Sequence, residues 1–124
     1  MKERSFTLLE ILIVIVIVGI LAGIGMASYT GVKEKTLGKE AIANLKLIAS
    51  AEDLRRMETG SYYISSNLQN INNNLKLSLS ATNWVYAISG TAATFSATAR
   101  RGACVYTLSD SDADDEPNPN AGCP

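Results

Sequence analysis

Charge marks the first quarter of this chain by its near absence. Lys2, Glu3 and Arg4 open it, Glu10 follows alone, and no other charged side chain occurs before Lys33. Between them Phe6–Ala27 reads FTLLEILIVIVIVGILAGIGMA, about the 20 apolar residues that take a helix across a bilayer core. The apolar pattern is continuous rather than alternating, so it predicts a helix that is greasy on every side. Glu10 breaks it, and a carboxylate in that position costs roughly 2.5–3.5 kcal/mol at the centre of a bilayer, less towards the interface.

From Tyr29 to Glu58 polar residues return and the pattern acquires one face. Leu37, Ala41, Leu45, Ile48, Ala51 and Leu54 recur at spacings of three and four, which predicts an amphipathic helix. Lys33, Lys35, Lys39, Glu40, Lys46, Glu52 and Arg56 fall mostly elsewhere, with Glu52 and Arg56 placed to pair across one turn. Gly60 is placed to end the helix. A single helix over residues 6–59 would be a rod on the order of 80 Å. Gly19, Gly23 and Gly25 are its soft points and admit two readings, close packing of helices or local unwinding.

Beyond Gly60 the period changes. Ile64, Leu68, Ile71 and Leu75 keep helical spacing, but Asn67, Asn70, Asn72, Asn73 and Asn74 favour turns. Residues 61–82 therefore read as a loop with one helical turn, capped by Ser65 or Ser66. Three alternating runs follow: Trp84, Tyr86, Ile88; then Ala93, Phe95, Ala97, Ala99; then Cys104, Tyr106, Leu108. Gly90-Thr91 and Arg100-Arg101-Gly102 separate them, which predicts a three-stranded antiparallel meander. Ser109–Pro124, with Asp110, Asp112, Asp114, Asp115 and Glu116 ahead of Pro117 and Pro119, reads as an exposed irregular loop.

The predicted class is α+β. A long N-terminal helix (about 6–59) packs its C-terminal half on a small three-stranded antiparallel sheet, and a C-terminal loop closes the chain. The segments are 1–5, a short charged leader; 6–32, the hydrophobic half of the helix; and 33–124, a globular head. Lys2 and Arg4 keep the leader on the cytoplasmic side under the positive-inside rule. The head lies across the membrane, where Cys104 and Cys123, the two cysteines of the chain, favour a disulfide. It would add about 3 kcal/mol by closing the acidic loop.

Composition narrows the function. A net charge of −1 among 124 residues offers no basic surface for nucleic acid. Histidine is absent, and neither a phosphate-binding glycine loop nor a nucleophile constellation occurs, so catalysis is not expected. Asp110, Asp112 and Asp114 have the alternate spacing of a hard-cation loop, a candidate calcium site. Asp115 and Ala121, however, stand where an EF-hand needs its turn glycine and bidentate acid; the other reading is a solvated acidic loop.

The head of the chain, Ser5-Phe6-Thr7-Leu8-Leu9-Glu10 followed by an unbroken apolar helix, resembles the N-termini of type IV prepilins and of the pseudopilins of type II secretion systems. The resemblance implies cleavage between Ser5 and Phe6 by a prepilin peptidase and N-methylation of Phe6. It further implies an assembly role for Glu10, which meets the new amine of a neighbouring subunit in a helical filament. Such a pair costs less in a low dielectric than a lone carboxylate; the alternative is an acid that snorkels to the interface. Implied partners are copies of the same chain, the peptidase, an inner-membrane platform and an assembly ATPase, with residence in the inner membrane before assembly into an extracellular pilus or a periplasmic pseudopilus. Cysteines bracketing the C-terminal loop resemble those of type IV pilins, whereas calcium in that loop would resemble the major pseudopilins. Two positions depart from the family pattern: Ser5 replaces the usual glycine before the cut, and Ala27 stands where a proline is common. The reading of another class is an exported binding domain, released at Gly25-Met26-Ala27 and beginning at Ser28.

Overall fold

The computed structural model describes residues 7–112 and 115–124. The chain divides after Glu34 into a helical N-terminal unit and a compact unit, Lys35–Pro124. One helix, α1 (Leu8–Thr59), runs through the first and opens the second.

In the N-terminal unit every Leu, Ile and Val from Leu8 to Ile24 is exposed, from 45% at Ile11 to 88% at Leu8. The most apolar window has a mean hydropathy of 2.9, and none of it is buried. That is enough length and apolar character to cross a membrane. The helix passes Gly19, Gly23 and Gly25 without a break, and beyond the adjoining residues and turns of the helix no atom lies within 4 Å of where a Cβ would stand on any of them. Their flanks are open to close approach by another helix.

In the compact unit α1 buries Leu37, Ala41, Leu45 and Ile48, as the spacing predicts. The expected continuation through Ala51 and Leu54 fails: Ala51 is half-buried, Leu54 is 57% exposed, and Glu52 is buried instead. The helix turns about 100° per residue, so Glu52 lies within about 30° of the face set by the first four residues and Leu54 about 135° from it. Gly60 then ends α1 at φ +84°, its N–H donating to the Arg56 carbonyl at 2.8 Å.

Residues 61–82 are more ordered than the asparagines suggest. α2 (Leu68–Leu75) is a two-turn helix that buries Ile71 and Leu75. Its cap is Asn67, whose side chain accepts the Asn70 N–H at 3.2 Å, and not Ser65 or Ser66. The Asn72 side chain holds Leu79 from both sides, accepting its N–H and donating to its carbonyl, each at 2.9 Å. The asparagines act here as caps and strand mimics, uses that composition does not separate from turns.

The meander forms in the expected order: β1 (Val85–Gly90), β2 (Phe95–Arg101) and β3 (Cys104–Ser109), in a register that sets Tyr86 opposite Ala99 and Ala99 opposite Tyr106. A two-residue strand, β4 (Asn118–Pro119), adds a fourth member beside β3. The alternating residues Trp84, Tyr86, Ile88, Phe95, Ala97, Ala99, Cys104, Tyr106 and Leu108 all face the core. Polar contacts fix this face to α1: the Trp84 Nε1–H donates to the Leu37 carbonyl at 2.9 Å, and Asn44 Nδ2 donates to the Tyr86 hydroxyl at 2.6 Å.

Beyond the meander, the open sides of β3 and β1 are partly paired. On β3, Val105 exchanges hydrogen bonds with Asn120, and the Ser109 N–H reaches Asp112 Oδ2 at 2.7 Å. On β1, the Ile88 N–H donates to the Ser65 carbonyl at 2.8 Å. The tail is thus part of the sheet, held by β4 and by the Cys104–Cys123 disulfide, whose Cα atoms are 4.3 Å apart.

Gly90 closes the β1–β2 hairpin at φ +131°, and a Cβ there would strike the Thr94 carbonyl oxygen. Gly90→Ala should lower the stability of the full chain in detergent by about 2 kcal/mol. Chemical denaturation measures this, and an unchanged midpoint would contradict the hairpin geometry.

Candidate functional site

Two carboxylates on α1 stand out from its other acids. Glu10 is exposed in the first turn and has its partners close at hand: Glu10 Oε2 accepts the Thr7 N–H at 3.1 Å, while the Glu10 N–H donates to Thr7 Oγ1 at 3.2 Å. This is a reciprocal capping box, in which two donors orphaned by the helix start are satisfied by side chains. Its signature, Thr-x-x-Glu ahead of an apolar run, stands in the sequence as Thr7-Leu8-Leu9-Glu10 and was obscured there by the cost of the charge. The cap uses the Thr7 amide, which a cut between Ser5 and Phe6 leaves intact. Ser5 and Phe6 themselves lie outside the described residues, as does Asp114.

Glu52 is the opposite case. It is 0% exposed, in the row that faces the sheet. Oε2 accepts the Tyr63 N–H at 2.8 Å, whereas Oε1 has no hydrogen-bond partner. Burial is the main influence on its titration and pushes the pKa up to about 7, against the opposing pull of the Tyr63 N–H and the Arg55 guanidinium. The expected Glu52–Arg56 pair does not form. Arg56 donates to the Tyr62 hydroxyl at 3.0 Å and lies over that ring, and Arg55 lies over the ring of Tyr63 at 4.9 Å. The sequence signal for this site was angular: Glu52 completes the row 41, 45, 48, 52.

The acidic loop is used internally. Asp110 Oδ1 accepts the Phe95 N–H at 3.1 Å, and Asp112 accepts from Ser109 and from Asn118 Nδ2. Among the described residues no group of three His, Cys, Asp or Glu side chains is gathered as a metal site. Glu116 reaches across to Lys46 at 2.5 Å.

An apolar N-terminal helix that leads into a small antiparallel sheet closed by a C-terminal disulfide is an α+β pilin fold. Residues 1–26 match the family model described as the prokaryotic N-terminal methylation motif. The chain is 38% identical over 61 residues to the type II secretion system core protein G of Escherichia coli K12, a stretch covering 49% of this chain and 42% of that protein. The core protein G of Pectobacterium carotovorum is 38% identical over 61 residues, with 39% of its length covered, and that of Vibrio cholerae 34%, with 42% covered. The matched stretch thus spans about two-fifths of these relatives. No solved structure matches. With the fold, these similarities relate the chain to the type IV pilins and pseudopilins through its N-terminal methylation motif and the 61 matched residues.

Glu52 makes stability depend on pH. Its carboxyl keeps its proton to about 7 when folded and releases it from the ordinary glutamate value of 4.5 when exposed. The folded state therefore binds more protons within that window, and stability falls as pH rises through it. At 1.36 kcal/mol per pK unit, the loss on the alkaline side is ~3 kcal/mol. Urea denaturation of the full chain in detergent at pH 5 and pH 8 should show this loss, and Glu52→Gln should remove most of it. Equal pH dependence in both proteins would rule out Glu52 as its source.

Proposed function

We propose that this protein is a structural subunit of a type IV pilus-like filament. After cleavage between Ser5 and Phe6 and methylation of Phe6, the chain is held in the inner membrane by residues 6–32, with residues 33–124 as its globular head. It is then polymerised through that helix into a helical filament. The observation that carries this reading is the apolar surface of α1, exposed on every side from Leu8 to Ile24, together with the methylation motif over residues 1–26. The hydrocarbon core covers that surface before assembly, and the helices of other copies cover it afterwards. The subunit's role is structural rather than catalytic. Its partners are copies of itself, a prepilin peptidase, a platform protein and an assembly ATPase.

Within the filament Glu10 meets the Phe6 amine of a neighbour and sets the axial register of the bundle. Glutamine at this position preserves the capping box and removes the charge, whereas valine removes both. Membrane insertion should survive Glu10→Gln and Glu10→Val alike, and filament yield should fall at least tenfold in each. Electron microscopy of sheared cell-surface material together with membrane fractionation measures the two effects. Normal filaments from Glu10→Gln would reduce the role of Glu10 to capping.

A secretion pseudopilus is the second reading, favoured by the name that the relatives share. Its filament would stay in the periplasm, so the same imaging distinguishes the two. Sequencing of the mature N-terminus tests both against an exported free domain: methylated Phe6 supports a filament subunit, and Ser28 a released domain.

A further inference from the structure

In the segment that follows α1, residues 60–67, three hydrogen bonds tie the backbone of residues 62–65 to the rest of the compact unit, besides the Arg56 and Arg55 side chains on the rings of Tyr62 and Tyr63. The Tyr62 N–H donates to the Ala92 carbonyl at 3.0 Å, the Ser65 carbonyl accepts the Ile88 N–H at 2.8 Å, and between them the Tyr63 N–H donates to Glu52 Oε2 at 2.8 Å. Two of these ties are to the β1–β2 hairpin, and the third is to a side chain within the core. The segment also bridges the outer edge of β1 at Ile88, and its Tyr62 ring packs edge-on against Phe95 at 4.8 Å. Glu52 is thus the one ionisable side chain among these three ties.

We propose that Glu52 is a proton-operated latch on residues 60–67: protonated, it holds the segment against the edge of β1, and ionised, it lets the segment lift and bare that edge.

The geometry supplies the switch. A neutral carboxyl fits a site that offers one donor, the Tyr63 N–H, and leaves Oε1 without a partner. A carboxylate does not, because a buried oxygen carrying charge is costly until water or a donor reaches it. Lifting the segment takes Tyr63 off Oε2 and opens that side of the carboxylate to water. The charges that reach Glu52 lie on α1: the Arg55 guanidinium favours ionisation and the Asp53 carboxylate opposes it. From the segment the Tyr63 N–H favours ionisation as well. α2, LQNINNNL, and β1, VYAISG, carry no charged side chain. Burial outweighs both favourable contacts and holds the proton to about pH 7, so the latch works close to neutrality. Arg55, whose Nε is buried without a hydrogen-bond partner, lies one turn away on α1.

Hydrogen–deuterium exchange of the full chain in detergent, corrected for the intrinsic pH dependence of exchange, tests the latch. Protection at residues 62–65 and at Ile88 should fall at least tenfold from pH 5.5 to pH 8.5 in the native sequence. In Glu52→Gln it should change less than twofold, and the amides of β2 and β3 should hold in both proteins. Constant protection at residues 62–65 in the native sequence, or an equal fall in Glu52→Gln, would overturn the proposal. Should Glu52→Gln fail to fold, the carboxyl carbon of Glu52, followed by NMR in the native chain, decides instead. A midpoint near neutrality that coincides with the loss of protection supports the latch, and one in the ordinary carboxylate range overturns it.

Discussion

Fewer than 100 residues form the compact unit, and its sheet has one face that must leave water. A single helical face meets that need. Leu37, Ala41, Leu45 and Ile48 cover the inward side chains of β1, β2 and β3, and full burial of each large one contributes about 1.5–3 kcal/mol. Nearly everything else in the unit is fitted around this layer. α2 adds Ile71 and Leu75 to its rim, Trp84 and Tyr86 tie the strands to the helix by hydrogen bonds, and the disulfide holds the tail against β3. Gly38 shows how close the layers come: a Cβ there would stand 2.8 Å from the Tyr106 hydroxyl oxygen.

The helix is at once a core element and an apolar surface with no cover of its own. A residue type therefore does not carry one meaning along it. Glu10 is exposed and satisfied by the first turn; Glu52 is enclosed, half-satisfied and inclined to stay neutral. The same carboxyl group reports opposite environments at the two ends of the helix.

These differences mark where the sequence was legible. The long helix, the alternation of the strands and the cysteine pairing could be read because each is a periodic or pairwise signal of strong amplitude. α2 was obscured because asparagine caps a helix and forms a turn by the same side-chain hydrogen bond, and only the backbone decides between them. Glu52 was assigned to the surface because charge was given more weight than angle, although 41, 45, 48 and 52 lie on one line. β4 has two residues, one of them proline, too few to show a period, and its place is set by pairing with β3. The capping box was visible but yielded to the question of what an acid does in a membrane.

The partly paired edges of the sheet carry a wider consequence. Asn120 and Asp112 occupy the outward hydrogen-bonding groups of β3, and Ser65 occupies that of Ile88 on β1. A sheet finished in this way offers little template for a strand from another molecule. Copies of this protein can be concentrated side by side, as any filament requires, without the cross-β growth that crowded sheets invite. In the proposed filament, order between copies would then come from side chains meeting side chains, which can separate again, and not from a backbone ladder that rarely does.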